Sequence, residues 1–262
     1  MPEDNGMNER VFPEKSQTRV NSSGDKSAVS TFIVSEHGNP DFSGAISLCY
    51  CRFSVAAYAD DLFQRHGIYC PPAIQASVEK RRAEFFAGRY CAKKSLRLLN
   101  NSVADVHIGK HRNPLWPAHI IGSISHSSRY AVAITALQSN IRGIGIDIQD
   151  EIDSDCYAKI NRHTLFDREY DVIFKHSHAL PVNQLFTLAF SVKESFFKAA
   201  FTEVGRYFDF SSIAITHINP QKKLISMRVN ETLSERLTIG CELRAAYQIL
   251  PDKQFMTLVI LE

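Results

Sequence analysis

The chain has 262 residues, of which 44% are hydrophobic, so it can bury a sizeable core. Its formal net charge of +2 argues against bulk nucleic-acid binding, which needs a strong basic excess, but leaves room for a basic pocket around one phosphorylated ligand. Six cysteines without a CxxC pair fit reduced thiols in a cytoplasmic protein better than a disulfide framework, and no run approaches the roughly 20 apolar residues of a membrane span.

Residues 1–28 are polar and read as a disordered arm. The opening Met1-Pro2-Glu3-Asp4 carries acids and no apolar run, unlike a secretory signal. Order is expected from Ser30-Thr31-Phe32-Ile33-Val34, followed by a second strand over 45–53. After Pro71-Pro72, apolar positions recur at helical spacing from Ala76 to Leu99. Gly88 lies inside this helix, which costs about 1 kcal/mol relative to alanine unless something must approach closely. Most basic residues of the helix read as a solvated face. Arg81 and Arg89 lie on roughly the same side and are placed to converge on one anion.

A proline-punctuated loop follows at 109–117, with Lys110, His111 and Arg112 beside the only tryptophan, Trp116. Residues 122–134 read as a strand, 138–140 as a turn and 141–148 as a returning strand, together an antiparallel hairpin. An acidic connection at 150–155 leads to helical patterning over 156–174. Pro181 opens a long helix to about Phe201, and strands are expected at 213–215, 224–229, 241–247 and 255–260.

Helix followed by strands occurs once in each half. The fold class expected is therefore α+β, with two similar lobes at 29–148 and 149–262. Each would be a small antiparallel sheet packed with a long helix, related by a pseudo-two-fold, with the active site in a cleft between them.

Two stretches carry the chemistry. Gly145-Ile146-Asp147-Ile148 puts a carboxylate in an apolar strand, where it must be paired or metal-bound unless it merely caps a turn. Ser191-Val192-Lys193-Glu194-Ser195-Phe196-Phe197-Lys198 puts Glu194 and Lys198 one turn apart on one helix face. That spacing also describes an ordinary surface salt bridge, but Phe186, Leu188, Phe190, Val192, Phe196 and Phe197 leave little surface for one. If the fold joins Asp147 to Glu194 and Lys198, two acids and a lysine can hold a divalent metal, activate a hydroxyl and steady a phosphate. His126 reads as an anion ligand, a base or a structural histidine. Ser125 beside it lacks the G-x-S-x-G elbow of a hydrolase nucleophile, and no Walker or G-x-G-x-x-G sequence occurs.

Four segments in order carry a resemblance: Arg81-Arg82-Ala83-Glu84-Phe85-Phe86-Ala87-Gly88-Arg89; Pro114-Leu115-Trp116-Pro117 running on to Gly122-Ser123-Ile124-Ser125-His126; Gly145-Ile146-Asp147; and Phe190-Ser191-Val192-Lys193-Glu194-Ser195-Phe196-Phe197-Lys198. Together, over roughly residues 45–250, they resemble the 4'-phosphopantetheinyl transferase superfamily, in its two-lobed surfactin-synthetase-activating type and enterobactin synthetase component D-like subgroup. The resemblance implies transfer of 4'-phosphopantetheine from coenzyme A to a serine of an acyl or peptidyl carrier protein, with adenosine 3',5'-bisphosphate released. It implies Mg²⁺, or Mn²⁺, on Asp147 and Glu194. Many relatives carry a further acid where this chain has Gln149, so either a water or the Gln149 carbonyl takes the third place. By similarity Glu194 takes the serine proton and Lys198 neutralises the pyrophosphate, while Arg81, Arg89, Arg112, Ser125, His126 and Lys193 join Lys198 in holding coenzyme A. The carrier would belong to a nonribosomal peptide, polyketide or fatty acid synthase, and two lobes in one chain suggest a monomer. The rival readings are a nucleotide-binding module without catalysis and a metal-dependent phosphohydrolase.

Overall fold

The computed structural model describes residues 32–40, 45–101, 105–139, 141–153, 164–166, 168–176 and 179–262. The expected arm at 1–28, and the first part of the helix expected from Cys156, lie outside the described residues. The chain divides into two compact units between Ile141 and Arg142, ahead of the boundary expected at 148.

In the N-terminal unit, strands β1 (Ile33–Pro40) and β2 (Ile46–Phe53) precede two short helices, α1 (Asp61–His66) and α2 (Pro72–Gln75). The long helix α3 (Glu79–Leu98) follows, then a two-stranded ribbon of β3 (His107–Ile108) and β4 (Pro114–Leu115), and finally β5 (Ile120–His126) and β6 (Tyr130–Leu137). The main sheet is antiparallel in the order β1-β2-β6-β5. Helix α3 covers it with Ala83, Phe86, Ala87, Tyr90, Cys91 and Leu96, all buried. Gly88 has the close neighbour its position called for. A Cβ there would stand 3.0 Å from Ile124 Cγ2, so the glycine lets α3 lie on β5.

In the C-terminal unit, β7 (Gly143–Asp150) is followed by α4 (Arg168–Lys175), the long helix α5 (Val182–Val204), and strands β8 (Ile213–Asn219), β9 (Leu224–Val229), β10 (Glu242–Leu250) and β11 (Gln254–Leu261). The sheet is antiparallel throughout, in the order β7-β11-β10-β9-β8. Helix α5 packs on it through Leu185, Phe186, Leu188, Ala189, Val192, Phe196, Ala199 and Ala200. It ends where Gly205 takes a left-handed conformation (φ 68°) and donates its amide to the Phe201 carbonyl, a termination that glycine makes without steric cost.

One expectation is overturned. Residues 122–134 are not one strand paired with 141–148. The hairpin forms earlier, between β5 and β6 around Ser127–Arg129, and β7 pairs with β11 instead, with Asp147 opposite Thr257. The hairpin reading rested on proximity in sequence, whereas the last strand of the chain supplies β7 with an uninterrupted partner along its whole length. This pairing also draws 143–148 into the C-terminal unit.

The glycines of β7 explain how α5 reaches it. Positions 143, 145 and 147 share one face of the strand. A Cβ at Gly143 would run into the carbonyl oxygen of Ala199, and one at Gly145 into that of Ser195 and to 2.6 Å from the Ala199 nitrogen. With no side chains between them, strand and helix backbones touch. Two residues of strand advance about 6.6 Å and four of helix about 6 Å, so the steps 143-145-147 match 199-195-191. The next contact in this series is Asp147 with Ser191.

Among the described residues Cys49, Cys51, Cys70, Cys91 and Cys241 are free thiols. No described helix is long and apolar enough to cross a membrane.

Candidate active site

Asp147 is 1% exposed, and both its oxygens are engaged. Lys198 Nζ donates to Oδ1 at 2.7 Å and Ser191 Oγ donates to Oδ2 at 2.9 Å. Lys198 also donates to the Ile146 carbonyl at 3.2 Å, so the lysine grips the strand as well as its acid. A buried carboxylate held by an ammonium and a hydroxyl avoids the several kcal/mol that an isolated one would cost.

Glu194 stands in the same corner. Burial pushes its carboxyl above the ordinary carboxylate range; Lys198 pulls it back down, and the negative charge of Asp147 adds to the rise. Within the C-terminal unit Lys198 contacts Asp147, and Glu194 is near enough to feel the charges of both. Gln149, one strand repeat beyond Asp147, lies on the same face of β7 and is half-buried. Among the described residues, no three of His, Cys, Asp and Glu gather as metal ligands. Two neighbouring carboxylates, one already resisting ionisation, form a set of hard oxygen donors that a small divalent cation would relieve.

Lys193 does not join this corner, contrary to the phosphate-binding role expected for it. It is 0% exposed, and its ammonium lies 2.8 Å from Glu169, itself 2% exposed. The Phe210 carbonyl accepts from it at 3.2 Å, and the Phe166 ring lies 5.1 Å away. Glu169 in turn accepts the amides of Phe166 and Ile215. Lys193 is adjacent to Glu194 in sequence, but one residue of helix turns it about 100° away, onto α4 and β8.

The sequence reading missed three hydroxyls behind Asp147. Ser191 Oγ is 2.9 Å from Thr257 Oγ1, which is 2.7 Å from Ser195 Oγ. Ser191 and Ser195 fall at i,i+4 on α5, a spacing that could have marked them as neighbours. A threonine in an apolar strand gives no such signal. Beside Lys198, Phe197 stacks on Tyr207 with ring centroids 5.7 Å apart, leaving Tyr207 64% exposed.

The N-terminal unit carries its own polar cluster. Arg81 donates to His126 Nε2 at 2.8 Å, and Glu84 lies 3.7 Å from Arg81 and 3.9 Å from His126 Nδ1. An arginine only donates, so Nε2 accepts and Nδ1 carries the ring proton. Arg89 donates to the Val106 carbonyl at 2.7 Å and lies over the Phe85 ring. Burial, with Arg81 adding to it, pushes its pKa down to about 10, which leaves it charged at neutral pH. Ser125 is buried in β5. Arg112 is exposed at the tip of the β3–β4 ribbon with a φ of 62°. A cavity of about 470 Å³ lies between α4 and β8, lined by Phe166, Arg168, Glu169, Ile215 and Arg228 among others; Asp147, Glu194 and Lys198 do not line it.

Residues 71–136 match the family model described as 4'-phosphopantetheinyl transferase N-terminal domain, and residues 143–249 that of the 4'-phosphopantetheinyl transferase superfamily. Enterobactin synthase component D of Salmonella typhi is 33% identical over 171 residues, covering 64% of this chain and 70% of that protein. Its namesake from Escherichia coli K12 is 33% identical over 158 residues, covering 60% and 72%. The 4'-phosphopantetheinyl transferase PptT of Mycobacterium tuberculosis is 36% identical over 78 residues, covering 30% and 34%.

Proposed function

Because the chain belongs to the 4'-phosphopantetheinyl transferase superfamily, we propose that this enzyme takes the 4'-phosphopantetheine it transfers from coenzyme A, places it on a serine of a carrier protein and releases adenosine 3',5'-bisphosphate. One observation carries the reading: Glu194 and Lys198, each half-buried, share a corner of the C-terminal unit with the buried Asp147.

In this reading Glu194 accepts the proton of the carrier serine. A carboxylate whose affinity for protons is raised by burial is a better base than one in water. Lys198 is held by Asp147 and the Ile146 carbonyl, and offsets the negative charge that grows on the departing pyrophosphate oxygen. Asp147, Glu194 and the Gln149 carbonyl would hold Mg²⁺ or Mn²⁺, which when bound neutralises the pyrophosphate of coenzyme A. Arg81, Arg89, His126 and Arg112 hold its remaining phosphates, with Ser125 supporting His126 from the same strand. Lys193 has no part in that set.

The relatives named enterobactin synthase component D favour a carrier belonging to a siderophore-type peptide synthetase. The enzyme would act as a cytoplasmic monomer. The test is incubation with coenzyme A, Mg²⁺ and an apo carrier domain of such a synthetase, followed by mass spectrometry of the carrier. The reading expects the carrier to gain the mass of phosphopantetheine. An unchanged carrier alongside bound coenzyme A would favour a silent binding module. Free phosphopantetheine formed without carrier would favour a phosphohydrolase.

A further inference from the structure

We infer that Thr257, acting through Ser191, is a positioning residue that fixes the carboxylate of Asp147 for ligation of the divalent cation. The inference rests on the metal role assigned to Asp147 above, and turns on Thr257, which lies outside every motif of the chain.

Thr257 lies directly opposite Asp147 in the β7–β11 ladder and is fully buried, as are Ser191 and Ser195. Its hydroxyl sits between those of the two serines, at 2.9 and 2.7 Å. The Ser195 hydroxyl donates to the Thr257 carbonyl at 2.9 Å, which leaves one proton arrangement that serves the acid: Thr257 donates to Ser191, and Ser191 to Asp147 Oδ2. Each donation strengthens the next, and the chain ends on the only charged acceptor. Lys198 holds Oδ1 from the other side. With a fixed donor on each oxygen, the carboxylate cannot rotate about its Cβ–Cγ bond without losing one of them. A ligand locked in this way binds a small cation that demands strict octahedral geometry better than a loose one does.

The N-terminal unit contains the same device without the carboxylate. Ser47, Ser95 and Thr135 form a buried trio between β2, α3 and β6, with hydroxyl separations of 2.7–3.0 Å. There Ser47 donates to the Ser95 carbonyl and Ser95 to the Ser47 carbonyl, so the trio closes on backbone and serves only to join helix to sheet. In the C-terminal unit one end of the trio is diverted to Asp147. The two trios thus separate a structural role from a positioning one.

The experiment measures Mn²⁺ binding to the full chain in the presence of coenzyme A by electron paramagnetic resonance, together with thermal unfolding. Thr257→Val keeps the shape and removes the hydroxyl. It is expected to weaken Mn²⁺ binding about tenfold, the lower end of the usual cost of losing a group that orients a metal ligand. Thr257→Ser is expected to restore binding. Thr135→Val is expected to lower Tm while leaving Mn²⁺ binding unchanged. Equal Mn²⁺ binding by Thr257→Val and wild type, or equal weakening by Thr135→Val, would overturn the inference. Wild-type protein that takes up no Mn²⁺ would instead overturn the metal reading of Asp147 and Glu194, and the inference with it.

Discussion

Gly145 lies so close beneath Ser195 that the first carbon of any side chain there would collide with the serine carbonyl. This contact between strand and helix backbones places Asp147, two residues along, under Ser191 and Lys198. The acid and the helix that serves it are therefore aligned by a missing side chain.

Gly145→Ala should accordingly be among the most damaging small substitutions in the chain. The obstacle is backbone, which cannot rotate away, so α5 must lift from β7. Gly88→Ala meets only a side-chain methyl, Ile124 Cγ2 at 3.0 Å, and no backbone atom. We expect Gly145→Ala to cost about 3 kcal/mol or more, at or beyond the upper end for overpacking, and Gly88→Ala little net, since about 1 kcal/mol of helix propensity gained offsets the contact. Urea titration of both variants measures the difference. Equal costs would show that α5 does not press on Gly145.

Glu194→Gln should trade activity for stability. Transfer should fall by about 10²–10⁴, the usual contribution of a positioned base. Burial raises the proton affinity of the Glu194 carboxyl in the folded state. The folded chain thus keeps this proton into a pH range where the unfolded chain has lost it, and the stability it contributes is lost as pH rises through the folded value. The amide has no charge to bury. Without metal, the variant's Tm should match wild type near pH 4, below the ordinary glutamate range, and exceed it by about 2–4 °C near neutral pH. A Tm difference independent of pH would contradict this origin.

The Lys193–Glu169 pair yields a coupling prediction. Removing one member of a buried pair costs about 3–5 kcal/mol, because the other charge is left uncompensated, so Lys193→Met should destabilise by that amount. Adding Glu169→Gln should recover part of the loss. Its amide oxygen still accepts the Ile215 amide and no bare charge remains. Glu169→Leu should recover less, since it strands the amides of Phe166 and Ile215. A double-mutant cycle by chemical denaturation tests this, and strict additivity would count against it.

Gln149→Glu should add a third carboxylate to the face of β7 that carries Asp147. Cation affinity rises with ligand charge, so Mn²⁺ should bind about tenfold tighter. The metal-free variant should be less stable than wild type, because three like charges then share the corner. A variant that binds Mn²⁺ no better would place Gln149 outside the coordination sphere.

Much of this site is legible in the residues themselves. The helical spacing over 182–204 gives α5, and the i,i+4 relation of Glu194 and Lys198 puts them on one face whatever α5 packs against. Lys193 is where local reasoning fails. It stands beside Glu194 in sequence, but its charge is satisfied by Glu169 and Phe210, which no helical pattern connects to it. The hairpin assigned to 122–148 fails for a related reason, since a strand's sequence records which of its faces are buried but not which strand lies beside it.

Local patterns along the chain suffice for the long helices, most of the strands and the side chains capable of chemistry, because turns, caps and helical periodicity act over a few residues. Tertiary structure decided that β7 pairs with β11, that Thr257 stands opposite Asp147, and that two adjacent residues of α5 point to different work. These outcomes depend on contacts between segments more than a hundred residues apart in the case of β7 and β11. Such contacts form only where burial, hydrogen bonding and backbone shape are satisfied together.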